Sequence, residues 1–440
     1  MQPDGGAGDV DVAAVQRRTL RVLLASQVLA GAGLAAGVTV GALLAEDMLG
    51  SMGWSGLPAA LFALGSAVAA AAVGHLSQRS GRRTGLAVGY AVGALGGALV
   101  VVAAAVGDVP LLLLGLLLYG SGTATNLQAR YGGADLAPAD RRGRAISTIL
   151  VGTTLGAVVG PNLVVPMGSI ATALGIRALA GPFVLATAAY ALAAIVVLTA
   201  LRPDPLLTAR ALATAASPEV GADTRGQGAG DAFQALGRAG LDRPALRLGA
   251  LVMVLTQLVM VAIMTMTPIH LRDNGHGLAA AGLVISIHIA AMYLPSPLSG
   301  WLADRFGRRP VVAAAGVVLL AAGLVAATAP DESVGALAVA LALLGLGWNL
   351  GLVGGTALLT DALPLAGRAR TQGSVDVGVA IAGAGAGLGS GLLMAATSYT
   401  VLALSGGLAA LALLPALVPA ALTGRRARRS SPAPVRVAGR

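Results

Sequence analysis

Four residues with soft or titratable side chains fall at helical spacing. Met260 and Met264 are separated by one turn, and so are His288 and Met292. Met253 lies on the Met260 and Met264 face, with Gln257 between them. Two thioethers, an imidazole and a third thioether make a neutral, soft donor set. Such a set suits Cu(I), whereas Mg²⁺ or Ca²⁺ would want carboxylates. The chain contains no cysteine, which excludes disulfides, thiolate metal sites and thiol catalysis. The same residues also fit a packing role, since methionine fills apolar gaps and a buried histidine is often held by one hydrogen bond. An ionisable side chain at membrane depth is nonetheless costly and marks a functional position, and His288 is the clearest such residue.

Hydrophobic residues make up 56% of the 440 and charged ones only 11%, a balance that a water-soluble globule of this size does not hide. The sequence divides into apolar blocks of about 20 residues, the length a helix needs to cross about 30 Å of hydrocarbon. Spans are expected near 20–44, 56–76, 85–107, 110–130, 145–166 and 178–201, then 247–270, 279–301, 310–329, 333–360, 371–395 and 399–422. This is an all-α membrane protein with twelve transmembrane helices. The expected organisation is a tail over 1–16, a six-helix bundle over 17–201, a linker over 202–246, a second bundle over 247–422 and a basic tail over 423–440.

Arginines supply the positive charge and gather between alternate spans. Arg17, Arg18, Arg21, Arg79, Arg82, Arg83, Arg141, Arg142, Arg144, Arg305, Arg308, Arg309, Arg368, Arg370 and the cluster from Arg425 to Arg429 fall on one side, against Arg177 and Arg272 on the other. The positive-inside rule then places both termini in the cytoplasm of a multi-pass protein of the cytoplasmic membrane. The net charge of +10 reflects that topology, and no nucleic-acid partner is implied. The expected partners are the lipid bilayer, a small-molecule or metal-ion substrate and protons.

An internal repeat supports two halves. Gly74-His-Leu-Ser-Gln-Arg-Ser-Gly81-Arg82-Arg83 returns as Gly300-Trp-Leu-Ala-Asp-Arg-Phe-Gly307-Arg308-Arg309, an offset of 300 − 74 = 226. Asp135, Pro138, Arg142 and Arg144 return at the same offset as Asp361, Pro364, Arg368 and Arg370. The repeated segment resembles the loop motif of the major facilitator superfamily (MFS), Gly-x-Leu-x-Asp-Arg-x-Gly-Arg-Arg. The resemblance implies two pseudo-symmetric bundles that rock about a midplane site, with Gly74, Arg79, Gly81, Arg82, Arg83, Gly300, Asp304, Arg305, Gly307, Arg308 and Arg309 forming gating loops. Gln78 replaces the acid of the first copy, so a weaker latch is expected there, or one that borrows another partner such as Asp376.

Gly152, Gly156, Gly160 and Pro161 in the fifth span resemble the antiporter motif of the same family, although small residues every fourth position also serve close packing. The Met-x-x-x-Met and His-x-x-x-Met pairs narrow the resemblance to the CcoA-like copper-importing branch, which implies copper as a transported substrate bound by Met260, Met264, His288 and Met292, with no resident cofactor. Related carriers of similar framework look like riboflavin transporters; a proton-coupled drug or metabolite exporter is a further alternative, and a membrane sensor that keeps the fold without transporting is another, since fold alone does not establish transport. Gln27, Asn126, Gln128, Asn162, Met253, Gln257, Asn349 and Gln372 are candidates to line the pathway. Asp376 and His288 are candidates for proton coupling; Asp376 can equally gate against Arg79 or Arg83, or sit as a favourable carboxylate near a helix amino terminus. Arg130 and Asp135 read as an ion pair. A nucleophile–base pair, a phosphate loop or a carboxylate dyad at one depth is missing from the sequence, and a transporter rather than an enzyme is expected.

Overall fold

The computed structural model describes residues 11–49, 57–215, 241–330 and 332–417, and within some helices the side chains of a few residues are left undescribed. The tail over 423–440 and residues 1–10 lie outside the described residues. The fold is all helical. It runs α1 (Val12–Leu49), α2 (Leu57–Val106), α3 (Val109–Ala134), α4 (Arg142–Asn162), α5 (Val164–Ala173), α6 (Gly181–Ala200) and α7 (Pro205–Ala215). It continues as α8 (Arg243–Asp273), α9 (Leu278–Tyr293), α10 (Ser296–Phe306), α11 (Arg308–Thr328), α12 (Val334–Ala362), α13 (Arg368–Ala396) and α14 (Tyr399–Ala409), which passes into a 3₁₀ segment ending at Leu417.

Among the described residues twelve crossings result, in a different partition from the helices themselves. The second and third spans make up α2, which folds back sharply at Gly81, whose φ of 88° belongs to the left-handed region that a side chain disfavours. Its repeat mate Gly307 has φ 97° and separates α10 from α11 in the same way. The Gly–Arg segments are therefore sharp helix-to-helix turns rather than open loops. The fifth span is divided at Leu163 between α4 and α5, and the eighth at Leu294–Pro295 between α9 and α10. Pro295 has no N–H to offer and breaks the helix there, and Asn349 Nδ2 donates to the nearby carbonyl of Met292 at 2.7 Å.

Local chemistry fixes the ends. Asp108 caps α3 by accepting from Leu111 N, Asp242 caps α8 through Ala245 N, and Ser333 caps α12 through Ala336 N. Each half has its own packed core. In the first, Tyr119 stands against Phe183 at 5.3 Å and Tyr190 at 5.4 Å between ring centres, with Leu23, Leu86 and Leu112 around them. In the second, Val252, Leu319, Leu344, Val353 and Trp348 fill the centre. Large apolar side chains such as Val68, Leu192, Val317 and Leu392 face outward, as a hydrocarbon surround requires.

The halves meet along two seams, α2 against α13 and α4 against α10. Both Gly–Arg turns lie at the same end of the molecule, because each side's turn reaches the opposite half there. Arg82 donates to Gln372, and Arg308 donates to the carbonyl of Ala139.

Candidate functional site at the seam between the bundles

The two seams obey the same 226-residue rule as the sequence. A Cβ added to Gly74 would stand 2.8 Å from the Cα of Gly373 and 2.9 Å from the carbonyl of Ala369. One added to Gly300 would stand 2.5 Å from the carbonyl of Gly143 and against the side chain of Ser147. Gly143 and Ser147 are the repeat mates of Ala369 and Gly373, so both joints are built alike. Only glycine permits so close an approach of backbones.

A polar latch sits one turn further along each seam. Asp304 accepts from the N–H groups of Gly143 at 2.8 Å and Arg144 at 2.9 Å, completing the amino terminus of α4, and pairs with Arg308 at 3.1 Å. Gln78 does the equivalent work for α13: its Oε1 accepts from Ala369 N at 2.9 Å, while its Nε2 donates to the carbonyls of Ala366 at 2.5 Å and Leu365 at 3.2 Å. The expected need for a substitute acid is thus not met by Asp376. The amide makes three bonds where the carboxylate makes its own, and Asp376 is bonded to Arg130 and Tyr131 rather than to Arg79 or Arg83. Arg83 N instead donates to Asp204 Oδ2 at 2.7 Å, through which α7 is tied beneath the first bundle.

Two further ion pairs repeat at the offset. Arg82 binds Asp135 at 2.8 Å with both side chains fully buried, and Arg308 binds Asp361 at 3.2 Å in a more open setting. Asp361 is also held by Arg142 across the seam, at 2.5 Å. Arg79 and Arg305 remain exposed.

Deeper lies a pairing that spacing along the chain does not reveal. Arg130, on α3, donates to Asp376 Oδ1, on α13, at 2.8 Å, with the two side chains 1% and 6% exposed. Tyr131 donates to the same oxygen at 3.1 Å and accepts from Arg130 Nη2 at 2.9 Å. Arg130 Nε donates to Thr356 at 3.0 Å, and its Nη1 reaches the carbonyl of Leu127. Arg130 therefore pairs with Asp376 and not with Asp135, which belongs to Arg82. Thr356 is the repeat mate of Arg130. Two mates that touch each other must lie close to the pseudo-twofold axis, so this arginine stands where the two halves meet. Removing one partner of such a buried pair costs about 3–5 kcal/mol, because the other charge is left in a poor solvent.

The candidate metal ligands fall on α8 and α9. Met253 and Met260 are buried, Met264 is half-buried, and Met292 is buried on α9. His288 is fully buried and engages the carbonyl of Leu341, on α12, through Nδ1 at 2.9 Å; its Nε2 meets no hydrogen-bond partner. Among the described residues no group of three or more His, Asp or Glu side chains could hold a metal ion. Gln257 accepts from Trp348 Nε1 at 2.8 Å, and Trp348 lies edge-to-face with Tyr293 at 5.6 Å. Asn349 bridges Ser299 at 2.5 Å and Ser296 at 2.7 Å, which ties α12 to the break between α9 and α10.

In the first bundle, Tyr90 donates to Gln27 Oε1 at 2.9 Å, Gln27 donates to Thr153 at 3.2 Å and to the carbonyl of Asn126 at 3.0 Å, and Thr153 donates to Asn126 Oδ1 at 3.3 Å. Gln128 donates to the carbonyl of Ala70. These side chains are buried cross-links between helices. Gly152 and Gly156 lie under α1, where a Cβ on Gly156 would stand 2.6 Å from Ala32 N. The side chains of Pro161 and Asn162 lie outside the described residues.

Duplicated six-helix bundles, matched seams and a buried ionic contact beside the axis between them define a secondary active transporter that works by alternating access. The Major Facilitator Superfamily matches residues 22–292 and 248–439, and the chain belongs to that family. It is 53% identical over 402 residues to an uncharacterized MFS-type transporter, YdeG, of Bacillus subtilis, covering 91% of each chain. It is 30% identical over 365 residues to the riboflavin transporter RfnT of Brucella anthropi, covering 83% of this chain and 86% of the relative. The fold is also that of the human organic anion transporter MFSD10, with a TM-score of 0.71 at 16% identity over 94% of this chain and 100% of the other. A multi-pass membrane transporter rather than an enzyme is thereby defined.

Proposed function

We propose that the protein takes a small organic molecule of the riboflavin type into the cytoplasm across the cytoplasmic membrane. The observation that carries this reading is the 30% identity to RfnT over most of both chains. In this reading residues 17–201 and 247–422 are the moving bundles, 202–246 is the linker, and the tails 1–16 and 423–440 are cytoplasmic. The arginine-rich end faces the cytoplasm and is latched, so the pathway opens outward. Gln257, half-buried beside Trp348 and Tyr293, is the candidate lining residue best disposed toward an aromatic cargo. Gln27, Asn126 and Asn349 act as helix cross-links.

Copper uptake through Met260, Met264, His288 and Met292 is the second reading, favoured by the bare Nε2 of His288 one turn from Met292. Against it, the imidazole is already turned to α12, and none of the relatives named above is a copper carrier by name. Export by exchange has less support, since Gly152 and Gly156 are accounted for by contact with α1.

The test is expression in a riboflavin-auxotrophic bacterium, with labelled riboflavin and total copper measured in the same cells. Expression should raise riboflavin uptake and leave copper unchanged, and His288→Ala should keep uptake of the vitamin. Copper accumulation that His288→Ala abolishes, without riboflavin uptake, would replace this reading with the metal one.

A further inference from the structure

We propose that Asp376 is a proton-binding site that controls the central contact between the bundles, so that transport is coupled to protons through the Arg130–Asp376 pair. This deepens the uptake reading and rests on it for direction, but not for the site itself.

The pair differs from the other ion pairs in its placement. Arg82–Asp135 lies within the first half, and a rocking motion carries both partners together. Arg130 and Asp376 come from opposite halves, and Arg130 touches its own repeat mate Thr356, which puts the contact beside the pseudo-twofold axis, where the two halves face each other. Opening this end must pull a buried carboxylate away from a buried guanidinium. Separated as ions, each would stand unpaired in a poor solvent.

The bonding is already divided in a way that lets the arginine stay behind. Arg130 keeps the Leu127 carbonyl and the Tyr131 hydroxyl, both on its own helix. Asp376 uses only Oδ1, which accepts from Arg130 and Tyr131, while Oδ2 is buried with no hydrogen-bond partner. A proton delivered by hydronium to Oδ2 leaves water and a neutral carboxyl group. The carboxyl can then leave the seam with α13 without carrying a bare charge.

The surroundings set the charge balance. From α3 come Arg130 and Tyr131, and from α2 comes Arg82, whose charge reaches Asp376 and is itself answered by Asp135. Tyr293, at the end of α9, lies within the field of Arg130. The facing part of α12 presents Thr356 and Thr360, and α8 presents Val254, Gln257 and Val261 along α13. Two cations thus face two anions, and one added proton leaves a net positive cluster. The repeat mate of Asp376 is Leu150, so the device exists once and gives one such proton per cycle.

The absence of cysteine makes the test direct. Ser80→Cys on α2 and Arg370→Cys on α13, both exposed, take nitroxide labels whose separation is measured by pulsed dipolar spectroscopy on the full-length protein in lipid nanodiscs, without substrate. The expected result is a short separation at alkaline pH that gives way to a longer one as the pH is lowered. Asp376→Asn should hold one distribution at every pH, and Asp376→Glu should titrate with a displaced midpoint. An unchanged titration in Asp376→Asn, or no pH response in the parent protein, would overturn the proposal. If Asp376→Asn fails to fold, a Glu variant with the parent's midpoint overturns it equally. Because no cargo is present, loss of the riboflavin reading leaves this result untouched.

Discussion

Gln78 and Asp304 occupy matching positions and close matching joints with different chemistry. The carboxylate accepts from two backbone N–H groups and an arginine; the amide accepts once and donates to two carbonyls. Gln78→Glu would restore the family's acid and yet set a carboxylate against the oxygens of Leu365 and Ala366. We expect it to weaken the latch by about 1–3 kcal/mol, the cost of burying an unmatched acceptor, seen as a longer Ser80–Arg370 label separation at neutral pH. Arg82→Ala should be worse for the fold than for the latch: it strands Asp135, fully buried, and should lower thermal stability in detergent by about 3–5 kcal/mol. At this scale the sequence is legible where a turn or a repeat constrains it. The 53 positions that separate Arg82 from Asp135 recur between Arg308 and Asp361, a signal carried by the chain's own numbering. Arg130 and Asp376 are 246 residues apart, and no local spacing announces them. Pairing Arg130 with Asp135 favours the carboxylate nearer in sequence over the one that folding brings close.

Between helices, glycines decide how close two backbones come. Gly156 packs α4 on α1 inside one bundle, whereas Gly300 packs α10 on α4 between bundles. The distinction predicts different failures. Gly156→Leu should reduce the yield of folded protein, because the obstructing atoms are the backbone of α1. Gly300→Leu should leave each bundle intact but part the seam at the arginine-rich end, so that thermal stability changes little while the closed population falls about tenfold, a cost near 1.4 kcal/mol. Element existence is readable from apolar length, since each crossing coincides with a block of apolar residues. The partition is not. Gly81 turns the chain sharply between two spans, and breaks at Leu163 and at Pro295 divide two others, because backbone dihedrals rather than hydropathy set those points.

For the whole molecule, one number organises the architecture. The displacement of 226 relates the Gly–Arg turns, the glycine joints, the salt bridges and the mates Arg130 and Thr356 that meet beside the axis. Departures from it are where the halves have become different: Gln78 against Asp304, Asp376 against Leu150, and His288 and its methionines in the second half alone. The duplication is plain in the sequence; the soft-ligand pattern is equally plain but does not specify a copper site, because spacing along a helix does not fix which neighbour a ring faces. Two rigid bundles exchange access by rocking, latched now at the arginine-rich end. Labels at Ser80 and Arg370 on that end, and at Thr172 and Asp273 on the other, measure it in one protein. Conditions that lengthen the first separation should shorten the second. Separations that lengthen together, or one that changes while the other stays fixed, would contradict rocking.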